Sequence, residues 1–390
     1  MKTTGLIASA LMAMALPALA AEPQVGTGET DGYKLVWQDL FDGTSLNLDR
    51  WNIEVNGDGG GNNELQYYTA RLDNVRVGDD GEGNGCLILT AKKEVYNGKQ
   101  CTSGRITTKN KIAFKHGKIE AAIKLPQTAN GLWPAFWMMG NDFDQVGWPR
   151  CGETDIMEFG NATGIANGTQ DRYFNGACHW GTAWNDHRQH ANAITNSYSL
   201  QDGEFHIYTC IWDQDKVAMY VDLDRNPNAS PYYIMTIPET TTDQTHPGYY
   251  FHKENFILFN LAVGGNFPGI WDINSITALN EGNNYQQSMY VNYVKIYQKG
   301  TSDESTNFAD PGDTTMGGVD GVAAAEMEIG YAAGVVTLPV AGDIQVYSAS
   351  GALVASGRGE QLSVDGLAAG MYIVKANAGG CQATRKIVVR

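Results

Sequence analysis

The stretch GETDIMEFG, residues 152–160, carries three carboxylates, Glu153, Asp155 and Glu158, on what reads as a β-strand. Successive strand side chains point to opposite faces, so Glu153 and Asp155 share a face. Strict alternation puts Glu158 on the other face, beside Thr154 and Ile156, where a lone carboxylate among apolar groups is costly. One extra residue, a β-bulge at Ile156–Met157, shifts everything after it and returns Glu158 to the face of Glu153 and Asp155. Crowded acids raise one another's pKa, so one can stay protonated while another is ionised. Two carboxyls about 5 to 5.5 Å apart are the arrangement of retaining glycosidases, and acids along one strand face fall near that range. A solvated strand face is the alternative reading.

The surroundings favour chemistry. In GLWPAFWMMG (131–140), Trp133 and Trp137 share one face of a neighbouring strand, and Trp148 lies five residues before Glu153. Indole faces stack on the apolar faces of pyranose rings, so aromatic platforms beside paired acids point to a sugar groove.

From residue 31 to 299 the same strand-and-turn grammar repeats, as in LILTAKK, GKIEAAIKL, FHIYTCIWD and MYVNYVKIYQ. Helical periodicity is nearly absent, and the spacing is that of an all-β sandwich. The chain has 390 residues, enough for one large domain and a smaller one. Lys2, the apolar run from Leu6 to Leu19 and the small residues at 18–21 read as a secretory signal peptide over 1–20. No stretch is long enough for a membrane span. Lys plus Arg is 27 against 43 Asp plus Glu, a net charge of −16. Such a surface repels nucleic acid and acidic polymers and suits a neutral partner. Six cysteines form no CxxC pair, which disfavours a metal knuckle. Cys86 and Cys101 flank a hairpin-like stretch and are the pair expected to bridge, while bridges and buried free thiols stay open alternatives for the others.

The hydrolase-like part is expected over 21–299. The segment KGTSDESTNFADPGDTTMGG is polar and aperiodic, giving a linker over 300–319. Beyond it, strands such as DIQVYSASG and TRKIVVR form a small β-domain over 320–390.

The blocks NNELQYYT, SGRITT, GLWPAFWMMG, GWPRCGETDIMEFG, NLAVGGNFPG and YVNYVKIY resemble, in order, those of the laminarinase-like endo-β-1,3-glucanases of glycoside hydrolase family 16. The resemblance implies a concanavalin-like β-jelly-roll and hydrolysis of a neutral β-glucan by a monomer that requires no cofactor. It implies Glu153 as nucleophile, Asp155 as its support and Glu158 as general acid/base. The bulged acidic block is the family's laminarinase version. Trp137 and Trp148 match indoles at the cleavage point, with Trp133 close by. Asn63, Glu64 and Arg105 match polar positions of the glycone side. His179, in ACHW, matches a His near the acid/base, and a core histidine is the alternative. Phe267 and Gly60 stand where the family commonly has Trp, implying a smaller platform and a weaker distal glycone subsite. Relatives often carry structural Ca²⁺ on an Asp of the last strand. Here that position is Asn292, which brings no charge, leaving the metal open.

The tail resembles the sorting domains of the type nine (Por) secretion route, which implies a secreted or bacterial cell-surface protein. Two rival functions remain at this point. One is a relative acting on galactans of the agarose, carrageenan or porphyran kind, whose often sulfated chains a −16 protein suits poorly. The other is a non-catalytic glucan-binding protein, a class that typically loses the acids retained here.

Overall fold

A computed structural model of the chain describes residues 26–308 and, with short interruptions, 329–389. The signal-peptide segment and most of the expected linker lie outside these residues. Two compact units divide at Gly317 and Gly318.

In the first unit two sheets face each other, antiparallel but for the short parallel pair of Tyr67–Tyr68 with Thr102–Ser103, as the all-β reading expects. The sheet that carries the acids contains β1 (Asn52–Ile53), β2 (Arg105–Thr107), β3 (Ile112–Lys115), β4 (Leu132–Gly140), β5 (Glu153–Phe159), β6 (Tyr173–Trp180), β7 (Arg188–Thr195), β8 (Asn255–Val263) and β9 (Ser305–Phe308). Its order is β7-β6-β5-β4-β8-β2-β1, with β3 paired to β8 and β9 to β3. In the second sheet the long strand Gln286–Gln298 pairs along its length with Gly117–Lys124, and on its other side with Gly85–Lys92 and Lys34–Asp39. Alternation does the sorting. Leu132, Phe136 and Met138 of β4 enter the core between the sheets, where they meet residues such as Leu89, Ile119 and Val294. Trp137 and Met139 instead join a separate small cluster with Trp148. Burying the inner faces is what holds the sandwich together, at roughly 25 cal/mol per Å² of apolar surface.

The expected Cys86–Cys101 bridge is absent: both thiols are buried and free, as are Cys151, Cys178 and Cys210. The reason is register. Cys86 lies near the start of the strand Gly85–Lys92, whereas Cys101 precedes Thr102, the partner of Lys92 at its far end. Six residues of strand separate the two sites by about 20 Å, far beyond the reach of a disulfide.

The linker reading also needs revision at its start. Ser305–Phe308 is a strand, paired with Ile112–Lys115. Asp303 lies 2.8 Å from the buried His116, and Ser305 donates to Glu254 at 3.1 Å. Polar residues without periodicity pair here because an edge strand asks only for main-chain hydrogen bonds, which composition does not reveal.

The second unit is a five-stranded sheet whose long strand, Val335–Ser348, shifts register between Thr337 and Gly342. It curls around its own core of Val336, Ile344, Val346, Val374 and Ile387. Among the described residues no helix is long and apolar enough to cross a membrane.

Candidate active site

The bulge lies at Ile156–Met157. Against β4, Met157 pairs with Phe136 and Asp155 with Trp137, leaving Ile156 unmatched. Against β6, Asp155 pairs with Ala177 and Glu158 with Asn175. Ile156 and Met157 therefore both enter the main core, and Glu158 rejoins Glu153 and Asp155 on the open face.

Each glutamate is held by an indole. Trp148 donates its N–H to Glu153 at 3.1 Å, and Trp133 donates to Glu158 at 3.0 Å. Asn175 donates a second hydrogen bond to Glu158 at 3.0 Å. The His179 Nε2 lies 3.1 Å from an Asp155 oxygen. Its Nδ1 meets His187 Nε2 at 2.8 Å. The two imidazoles thus run from Asp155 out to the loop that carries His187. Burial, and the His179 charge beside it, hold the pKa of His187 below its usual value.

Burial pushes all three carboxyls up to about 8. Asp155 raises Glu153 further, while His179 and the Arg105 guanidinium oppose the rise. Asp155 also raises Glu158, opposed by His179 and by the hydrogen bonds from Trp133 and Asn175. Three acids in one dry patch cannot all ionise, so their protons are shared out near neutrality. The Arg105 guanidinium favours the charged form of Glu153.

The other expected residues fall around these three. Trp137 donates to Asn260 at 2.7 Å, and Arg105 lies over the Trp137 ring at 4.8 Å. Arg105 also pairs with Glu54 at 3.1 Å. It thus forms an ion pair at the start of β2 while lying against the Trp137 ring. Phe267 stacks on Trp133, centroids 4.7 Å apart and nearly parallel, so the smaller ring is joined to the site. Asn63 bonds Asn266, and the buried Glu64 accepts from Tyr68 and Gln66. Glu64 is thereby a support for its loop. Asn175, His187 and Asn260 escaped sequence reasoning, because strand register brings Asn175 to Glu158 and Asn260 to Trp137, and a folded-back loop brings His187 to His179.

Asn292 stands at the position where the resemblance left calcium open. It sits in a register shift of its strand, and its amide nitrogen donates to the Gly85 carbonyl at 2.9 Å. A hard cation needs oxygens, preferably charged ones. Among the described residues, the group of three acidic, imidazole or thiol side chains gathered closely enough for a metal is Glu153, Asp155 and His179. These residues already face one another in the groove.

Comparison with known proteins agrees with this geometry. Residues 63–230 match the model of glycosyl hydrolases family 16, and residues 329–390 match the secretion system C-terminal sorting domain. A beta-glucanase of Rhodothermus marinus is 31% identical over 281 residues, covering 68% of this chain and 85% of that protein. The clotting factor G alpha subunit of Tachypleus tridentatus is 34% identical, over 73% of this chain; the chain spans about a third of that relative's length, 36%. Among solved structures, a Bacteroides ovatus family 16 enzyme from a mixed-linkage glucan locus, in complex with a G4G4G3G product, is 40% identical. It covers 67% of this chain and 99% of its own, with a TM-score of 0.57. The catalytic domain of an endo-1,3-beta-glucanase (laminarinase) from Thermotoga petrophila is 32% identical, covering 69% and 99%, with a TM-score of 0.55.

Proposed function

The chain belongs to glycosyl hydrolase family 16, and on that premise we propose that it is an exported, retaining endo-β-1,3-glucanase cleaving internal bonds of neutral, laminarin-type glucans. Glu153 attacks the anomeric carbon as the bond to the leaving oxygen breaks, and Glu158 gives that oxygen its proton. Glu158 then takes a proton from water, whose oxygen attacks the same carbon and releases Glu153. Asp155, paired with His179 at 3.1 Å, holds the nucleophile's surroundings and modulates its proton affinity. The observation that carries the reading is the pair of glutamates on one bulged face, each with an indole N–H on its carboxylate.

A second reading adds mixed-linkage β-1,3-1,4-glucan to the substrates. It is favoured by the 40% identity to the Bacteroides ovatus mixed-linkage structure, against 32% to the Thermotoga laminarinase. Residues 1–20 would direct export and 320–390 would be read by type nine secretion machinery, so a chain lacking the tail should fail to reach the outside of its native host.

The deciding experiment is a product profile on laminarin, lichenan, agarose and carrageenan, with the anomeric configuration of the first product followed by NMR. Retained β-products from laminarin are expected. Cleavage confined to galactans, or glucan binding without hydrolysis, would overturn the proposal.

A further inference from the structure

We propose that Trp184 is a substrate-stacking residue at the glycone end of the groove, supplied by the loop between β6 and β7. The inference rests on the glucan reading above. Trp184 begins a single 3-10 turn, Trp184–Asp186, and its side chain is 67% exposed. A single exposed ring is ordinary, but this one continues the Trp148 surface beside Glu153 and so extends an apolar patch at the groove.

The loop that displays it is internally bonded. Asp186 accepts from the Thr182 hydroxyl at 2.7 Å and from Arg188 at 3.1 Å, while its own N–H donates to Ala183 at 2.9 Å. Gly181 opens the loop at φ +147°, and a Cβ there would stand 2.2 Å from the Asp186 carbonyl oxygen. The ring is held out by a set backbone, so little ordering remains to be done when a sugar arrives.

Its position ties it to the chemistry. The indole lies against Trp148, centroids 4.3 Å apart, and Trp148 donates to Glu153. His187, from the same loop, packs on Trp148 at 4.8 Å and bonds His179. On its other side the ring reaches the Gly59–Gly61 turn, where a Cβ on Gly61 would stand 3.3 Å from the indole edge. That turn leads into Asn63 and Glu64, and it bonds to the loop that follows β8 through Asn62 and Asn266. Strands β5 and β4 separate β6 from β8. The indole therefore reaches from one side of the acid strand to the other. The glycine turn leaves it room, and an aromatic face absent from position 60 is provided from across the groove. Beside Trp148, it offers a second apolar surface to the adjoining glucosyl unit.

The test uses the full chain carrying Trp184→Ala or Trp184→Phe, assayed on linear β-glucan oligosaccharides of increasing length, with melting temperatures alongside. Trp184→Ala should lower kcat/KM by about tenfold on long oligosaccharides. The loss should shrink on the shortest substrates, Trp184→Phe should recover most of it, and the melting temperature should hold. Equal kcat/KM at every length, an equal loss at every length, or a gain from removing the ring would each overturn the proposal. Wild-type protein that cleaves no β-glucan would take down the glucan reading and this inference together. Wild-type cleavage with an indifferent Trp184→Ala variant would remove this inference alone.

Discussion

Asn175 faces Glu158 across the pairing of β5 and β6, and its amide donates to the Glu158 carboxylate at 3.0 Å. That bond favours the charged form of Glu158 and so opposes the rise that burial causes. As the group that must give a proton, Glu158 should produce a fall in kcat/KM as pH rises through about 8. Asn175→Ala removes the donor, so the fall should move to higher pH, with kcat reduced roughly tenfold or more through lost positioning. An unmoved alkaline limb would separate Asn175 from the acid.

Glu153→Ala and Glu158→Ala should each lower hydrolysis by about a thousandfold or more while leaving glucan binding largely intact. Azide should rescue the Glu153 variant and give an inverted glycosyl azide, because it takes the place of the missing nucleophile. Near wild-type rates on laminarin for Glu158→Ala would reassign the acid/base.

Stability should also report the buried acids. Glu158 has a folded-state pKa near 8 against 4.5 when free. Between those values the folded chain keeps a proton that the unfolded chain has released, so its contribution to stability declines as pH rises through this window and is flat above it. Gln cannot ionise. Glu158→Gln should therefore melt a few degrees above wild type at alkaline pH, with the difference closing below about pH 4.5. Scanning calorimetry across that range is the check.

Where the tail is cut should matter. Ending the chain at Lys299 removes Ser305–Phe308 from the edge of β3 and takes Asp303 from His116. Such a chain should melt several degrees lower than one ending just past Phe308, which should keep full-length turnover on soluble laminarin. Equal melting of the two would show that β9 contributes nothing.

Chelator should leave the melting temperature nearly unchanged, since only a ligand bound to the native state stabilises it. The amide of Asn292 is turned toward the Gly85 carbonyl, nitrogen first. A drop of many degrees with EDTA, restored by Ca²⁺, would reveal ligands other than Asn292.

Local rules alone determined much of this protein. Alternation along residues 152–160 demanded a bulge, because an unpaired Glu158 in the core would have been too costly, and Ile156 and Met157 take the two core positions. The same alternation separated the groove indoles Trp133 and Trp137 from the core side of β4. What the tertiary structure decided was everything that depends on which strands are neighbours. Asn175 reaches Glu158, and Cys86 and Cys101 stay apart, through register that no single segment encodes. Ser305–Phe308 joins the sheet because an edge was free to pair. Trp184 and His187 come to Trp148 because a loop folds back over the face, bringing together residues 36 and 39 positions apart in the chain. Periodicity is a property of one segment, whereas a site is made where several segments meet.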